Sequence, residues 1–293
     1  MLLIRLALGA LAGYVVIAGV LWMVQDRLAF PAPRAPLPDP TRARLPDAQA
    51  FTLAMSDGTR LAGWFLPPTP VGVVSERTTS PGLLWFYGNG ENIATLANVL
   101  REFRPPGTGL LVVDYPGYGA SGGRAREGAV YEAADLAYDA LAAHPGIDPA
   151  RIFVYGRSLG SAVATHVAAT HRVAGLILES PLTNAREIAA RAYPFLPRFL
   201  VRLRLDNLTA ITRVHCPVLV FLGTADQVIP PDMGRRIAAA APGPAELVLI
   251  EGADHNDTYD VGGRAYRDKV WAFLEGTGDE GRSSPVPRPP SPK

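Results

Sequence analysis

The stretch that most restricts the fold of this chain is Gly156-Arg157-Ser158-Leu159-Gly160, because of what flanks it. Before it stands the apolar run Arg151-Ile152-Phe153-Val154-Tyr155, and after it the alanine-rich segment 161–170. That order reads as strand, sharp turn, helix. Such a turn strains its central residue, and glycines on either side remove the β-carbons that would collide there, leaving the serine hydroxyl exposed at the tip. Five residues of this degeneracy match by chance in many proteins, so the strand before and the helix after give the match its meaning. In that context the pattern is a nucleophile elbow, and the chemistry it implies is that of a serine hydrolase.

The remainder of the chain alternates apolar runs with helical segments, the pattern of a mostly parallel sheet covered on both faces. Strands are expected over 51–55, 61–66, 82–87, 110–114, 151–155, 174–178, 218–222 and 247–250, and helices over 93–103, 127–143, 158–170, 232–241 and 258–274. The order implies a doubly wound sheet of about eight strands, with reactive groups on the loops at their carboxyl ends. At 293 residues and 48% hydrophobic the chain has ample material for a core. Its single cysteine, Cys216, cannot form an intramolecular disulfide, and its place at the start of an apolar run suits a buried structural thiol. A net charge of +1 with no dense basic stripe argues against nucleic acid as a partner.

Residues 6–24 (LALGALAGYVVIAGVLWMV) run 19 positions without a charge, about enough to cross a bilayer as a helix, with Trp22 at the interfacial end. The stretch exceeds the usual apolar core of a cleaved signal, and no small-x-small site follows it, so an uncleaved single-pass membrane anchor is expected over 1–30. Arginines flank both ends, which leaves the side of the catalytic domain open. Six prolines within 31–46 favour an extended tether over 31–47 rather than a packed element. The hydrolase domain is expected over 48–275, and 276–293, almost without large apolar residues, reads as a disordered tail.

A serine needs a base to attack at neutral pH, and the base needs an orienting acid. Of five histidines, His255 alone follows a strand through a polar loop, Glu251-Gly252-Ala253-Asp254-His255-Asn256-Asp257, and precedes a helix. Asp226 lies in the loop directly after the penultimate strand, and Asp254 and Glu251 are too near His255 in sequence to be preferred. The order Ser158, Asp226, His255 is the Ser, acid, His order of an α/β-hydrolase. For the oxyanion the expected donors are the backbone amides of Leu159 and of Asn89, the latter in the glycine-rich loop Tyr87-Gly88-Asn89-Gly90-Glu91-Asn92.

These segments, with Asp114-Tyr115-Pro116-Gly117-Tyr118-Gly119-Ala120-Ser121-Gly122-Gly123, Gly223-Thr224-Ala225-Asp226 and Gly252-Ala253-Asp254-His255-Asn256, together resemble the α/β-hydrolase superfamily. The resemblance covers roughly 48–275 and points to the membrane-anchored branch that includes acyl-protein thioesterases (depalmitoylases). It implies one hydrolase domain, a triad of Ser158, Asp226 and His255, and neither cofactor nor metal. Relatives usually carry His-Gly where this chain has Tyr87-Gly88, a change that bears on loop packing and substrate fit more than on an amide donor. The loop 114–123 is expected to shape one wall of the pocket.

Residues 181–209 replace a simple connection and interleave large apolar residues with five arginines against Glu187 and Asp206, a net +3. They read as a small cap, either resting a cationic amphipathic face on anionic lipid or packed with its arginines merely solvated. Tyr87, Gly88, Tyr118, Tyr193 and Phe195 are the expected substrate contacts. The substrate expected is an acyl ester or thioester; a peptidase or amidase on the same fold, or a silent binding module, are the alternatives.

Overall fold

The computed structural model describes residues 1–69 and 79–276. Eight strands form one sheet: β1 (Gln49–Ala54), β2 (Arg60–Leu66), β3 (Ser80–Phe86), β4 (Gly109–Val113), β5 (Ile147–Arg157), β6 (Gly175–Glu179), β7 (Val218–Gly223) and β8 (Ala245–Ile250). Their order is β1-β2-β4-β3-β5-β6-β7-β8. β1 and β2 pair antiparallel, β2 meets β4 antiparallel, and every later pairing is parallel. Composition explains the placement. β6 and β7, read as Gly-Leu-Ile-Leu-Glu and Val-Leu-Val-Phe-Leu-Gly, are buried at every position, as a central parallel strand covered on both faces requires. Edge strands β1 and β8 alternate or stay exposed.

Eight α-helices and a short 3-10 helix (Arg198–Leu200) complete the described chain: α1 (Leu2–Ala29), α2 (Ile93–Phe103), α3 (Glu127–Ala142), α4 (Leu159–Thr170), α5 (Ala185–Ala192), α6 (Asn207–Ile211), α7 (Pro231–Ala240) and α8 (Thr258–Gly276). All eight expected strands and all five expected helices are present, and the ends differ by a few residues. α2 starts where its residues dictate. The Asn92 side chain accepts from the amide of Thr95 while the Thr95 hydroxyl accepts from the amide of Asn92, a reciprocal cap that satisfies two otherwise orphaned donors.

One expectation about the chain ends needs revision. The proline-rich segment 31–47 is packed on the domain and not a free tether: Arg34 bridges to Gly119, and the chain then turns over 40–44 and 46–47. Prolines remove donors yet leave carbonyls, and the Pro33 carbonyl accepts from Gly119 N (2.8 Å) and Asn92 Nδ2 (3.2 Å), while Phe30 and Leu45 are buried in the main core. The expected disordered tail, 276–293, lies outside the described residues except for Gly276, the last residue of α8.

α1 is 28 residues long with a mean hydropathy of 2.1 over its most apolar window, long and apolar enough to cross a membrane. Its amino-terminal half is exposed throughout. Its carboxyl-terminal half is not, and docks on the region 185–202, where Ala18 packs with Leu196 and Val201.

Candidate active site

The elbow is built by close approach. A β-carbon on Gly160 would overlap the carbonyl oxygen of Phe86 and stand 2.6 Å from that of Tyr87, so α4 can sit on the end of β3 only with glycine there. A β-carbon on Gly156 would overlap the Gly160 carbonyl and stand 2.5 Å from the Ala164 side chain. Between them Ser158 has φ 51° and ψ −117°, a left-handed conformation that costs a non-glycine residue about 1–3 kcal/mol. Its surroundings hold it there: Ser158 N donates to Glu179 O (2.9 Å), and its carbonyl accepts from Ser161 N (3.0 Å) and the Ser161 hydroxyl (2.6 Å).

Two other strand ends bring their loops to the same point. The loops after β7 and β8 are stitched together by Ala225 N to Ala253 O (2.9 Å) and Gly252 N to Thr224 Oγ1 (2.9 Å). A side chain at Gly223 would strike the Ala253 carbonyl. The stitching sets Asp226 beside His255. His255 Nδ1 lies 2.8 Å from Asp226 Oδ2, and His255 Nε2 lies 2.9 Å from Ser158 Oγ. All three residues are buried.

Burial alone would raise the pKa of Asp226, but the His255 hydrogen bond and the Ile229 amide (2.8 Å to Oδ1) more than offset it, so the carboxyl is held below its ordinary value. An ionised Asp226 accepts from Nδ1–H, which leaves Nε2 to accept from the serine hydroxyl. Neither the Leu159 nor the Asn89 amide has an acceptor among the described residues. Both residues line a cavity of about 470 Å³ that also holds Ser158 and His255.

The expected substrate residues divide. Tyr193 lines this cavity; Tyr87, Gly88, Tyr118 and Phe195 do not. Tyr87 is fully buried, and its hydroxyl donates to Asp114 Oδ1 (3.1 Å) and accepts from Tyr115 N (3.0 Å), so it braces two loops against each other. Gly88 lies behind the site, where its amide donates to Glu91 Oε2 (2.6 Å) and an added β-carbon would stand 3.5 Å from that of Ser158. Tyr118 is buried, and its hydroxyl donates to Asn89 Oδ1 (3.1 Å), fixing the loop that carries the Asn89 amide. Phe195 is 53% exposed. The loop 114–123 therefore buttresses the site from behind instead of forming a wall of this cavity. Gly119 is essential to that buttress, since with φ +46° a β-carbon would fall on the Asp114 carboxylate.

Of the other four histidines, three are occupied elsewhere and His215 is exposed. His166 and His171 both meet Asp135 (3.0 and 2.9 Å), and His144 Nδ1 accepts from Gly146 N (3.2 Å). Burial pushes the Cys216 thiol up to about 11, which suits a structural role.

Two sets of residues escaped the sequence reading. Arg157, the residue before Ser158, spans the site: Nε donates to Glu179 Oε1 (3.2 Å), Nη1 to Glu91 Oε1 (3.0 Å) and Nη2 to His255 O (2.7 Å). One guanidinium thus ties the elbow, the Asn89 loop and the His255 loop together. Burial works against its charge, and the carboxylates of Glu179 and Glu91 outweigh that effect, so its pKa is raised. Glu179 is 1% exposed and also accepts from the hydroxyls of Tyr266 (2.8 Å), Tyr155 and Thr258. A carboxylate ending an otherwise apolar strand was the available signal. The second set is on α1, where Leu21, Gln25, Leu28 and Ala29 line the cavity.

This strand order, with the elbow after β5 and the two partner loops after β7 and β8, defines an α/β-hydrolase, and the chain belongs to that family. Residues 82–213 match the Hydrolase_4 family, described as serine aminopeptidase S33. An uncharacterized protein of Mycobacterium tuberculosis is 35% identical over 260 residues, covering 88% of this chain and 89% of that one. The α/β hydrolase domain-containing protein WAV2 of Arabidopsis thaliana is 30% identical over 94% of this chain and 96% of its own length. The human α/β hydrolase domain-containing protein 17B is 30% identical over 71% of this chain and 69% of its own. Among solved structures, the Pyrococcus furiosus esterase Pf2001 superposes with a TM-score of 0.65 at 16% identity, covering 84% of this chain and 98% of that one.

Proposed function

We propose that this protein is a membrane-anchored serine hydrolase that cleaves carboxylic esters or thioesters of acyl groups through an acyl-enzyme. The observation that carries this reading is the hydrogen-bonded line from Ser158 Oγ through His255 to Asp226, with steps of 2.9 and 2.8 Å. As Ser158 Oγ bonds to the substrate carbonyl carbon, its proton passes to His255 Nε2, and Asp226 stabilises the imidazolium that forms. The oxygen, now negative, accepts from the amides of Leu159 and Asn89, donors of a kind worth roughly 3–4 kcal/mol each. Collapse breaks the bond to the alcohol or thiol, which leaves with the proton from His255. Water then gives its proton to His255, attacks the acyl-serine and releases the carboxylic acid with Ser158 restored.

A peptidase reading draws support from the description of the matched family as serine aminopeptidase. Recognition of a free α-amine calls for a carboxylate facing the substrate. Among the described residues that line the cavity, none is aspartate or glutamate, and most are apolar, which favours an acyl chain.

The test uses the full chain in detergent with a fluorescent fluorophosphonate and a series of p-nitrophenyl esters. The parent is expected to label and turn over. Ser158→Ala should lower kcat by ~10⁴-fold or more with folding intact, and His255→Ala should lose labelling. A folded parent that neither labels nor turns over ester would sink the hydrolytic reading and leave the binding module.

A further inference from the structure

α1 carries a feature that a simple anchor does not need. Tyr14, Ala18, Leu21, Gln25 and Leu28 recur at intervals of four and three, which places them on one helical face. Each meets the cap or the cavity. The Tyr14 hydroxyl donates to Phe195 O (3.0 Å), and Ala18 packs on Leu196 and Val201. Gln25, 7% exposed, donates to Leu200 O (2.8 Å) and accepts from Arg202 N (2.7 Å). The Arg202 guanidinium sits 4.5 Å over the Trp22 ring. A glutamine that joins two backbone groups of another element fixes the rotation of α1 about its own axis, because a modest turn breaks both bonds. With that rotation set, Leu21 and Leu28 face the cavity that contains Ser158 and His255.

The contact runs from Tyr14 to Gln25, about 16 Å of helix axis at 1.5 Å per residue. Tyr14 lies in the middle of the uncharged segment, so the cap loop that holds Phe195 lies beside the part of α1 suited to hydrocarbon. Phe195 and Phe199 are exposed there, at 53% and 81%. The same helix that carries this apolar surface also contributes Leu21 and Leu28 to the cavity, whose lining is mostly aliphatic.

We propose that α1 is at once a membrane span and a wall of the acyl-binding cavity, so that an acyl chain drawn from the bilayer enters alongside the helix and lies against Leu21 and Leu28. This deepens the ester and thioester reading, on which it rests for the bond that is cut. The cap and α1 together would select long chains, and the helix would set substrate choice as well as location.

Two measurements on the full chain test this. In phosphatidylcholine liposomes, Ser158→Ala protein is irradiated with palmitic acid bearing a diazirine at its chain end, and adducts are mapped. Adducts on Leu21, Leu28 or Ile188 that excess palmitate suppresses are expected; adducts confined to lipid-facing positions such as Val16 and Met23 would overturn the proposal. In the second, the ratio of kcat/KM for p-nitrophenyl dodecanoate to that for the butanoate is compared across variants. Leu21→Trp and Leu28→Trp, which occupy the space of a few methylenes, should lower the ratio ~10-fold. Val16→Trp on the opposite face should leave it unchanged, and equal profiles for all three would overturn the proposal. Suppressible adducts on the α1 face in a protein that cleaves no ester of any length would support the acyl cavity and refute only the hydrolytic reading.

Discussion

At the reactive end of the cavity, Ser158, Leu159 and the two glycines that shape the turn lie within five consecutive residues. At its α1 side, Gln25 reaches Leu200 across 175 positions and Arg202 across 177. The first region obeys a local steric rule: no other residue fits at Gly156 or Gly160, so the conformation is written where it occurs. The second depends on a side chain meeting backbone groups, and every residue except proline offers both kinds. Local rules leave a sequence pattern. A contact to backbone leaves almost none, although it determines which face of α1 closes the cavity.

The largest expected effect tests the local rule. Gly160→Ala drives a β-carbon into the carbonyls of Phe86 and Tyr87, backbone atoms at the carboxyl end of the central strand β3 and unable to yield as a flexible side chain would. A loss of about 3 kcal/mol in global stability is expected, at the upper end of overpacking costs. Reversible denaturant melts in detergent would measure it. A loss near zero would mean that the elbow is looser than its contacts imply, and would weaken the contrast between the two regions.

Gln25→Ala should cost less, about 1–2 kcal/mol, because it leaves the Leu200 carbonyl and the Arg202 amide without their partner. The loss should be local. Hydrogen exchange is expected to quicken around 198–202 while the sheet retains its protection. If the central strands exchanged faster as well, α1 would belong to the global folding unit and the two regions would not be separable.

This contrast accounts for what could be read in advance. The sheet was legible because parallel strands buried on both faces appear as unbroken apolar runs, as in β6 and β7. Ser158, Asp226 and His255 follow strands whose ends converge, and the structure brings all three together. Tyr87 and Tyr118 were misread because aromatic residues near a reactive loop suit a pocket lining or a brace equally well, and only the hydroxyl partners Asp114 and Asn89 distinguish the two. The proline-rich segment was misread because proline count reports missing donors and says nothing about carbonyls such as that of Pro33. Gln25 left one trace, an uncharged polar residue in line with Leu21 and Leu28.

The smallest effect separates the two regions by pH. The folded protein holds the Asp226 carboxyl below its ordinary value, with burial opposed and outweighed by the His255 and Ile229 hydrogen bonds. A carboxyl depressed in the folded state stabilises that state fully above its unfolded pKa of about 3.9, and the contribution disappears as pH falls through the lower folded value. The stability gap between the parent and Asp226→Asn should therefore narrow as pH falls from about 5 through the folded value of the carboxyl. The gap between the parent and Gln25→Ala should stay flat over the same range, because an amide side chain and two backbone groups exchange no proton there. Melts of the three proteins across that range would decide. A flat Asp226→Asn gap would mean that the carboxyl is not held ionised by its neighbours, and the orienting role of Asp226 toward His255 would lose its electrostatic basis.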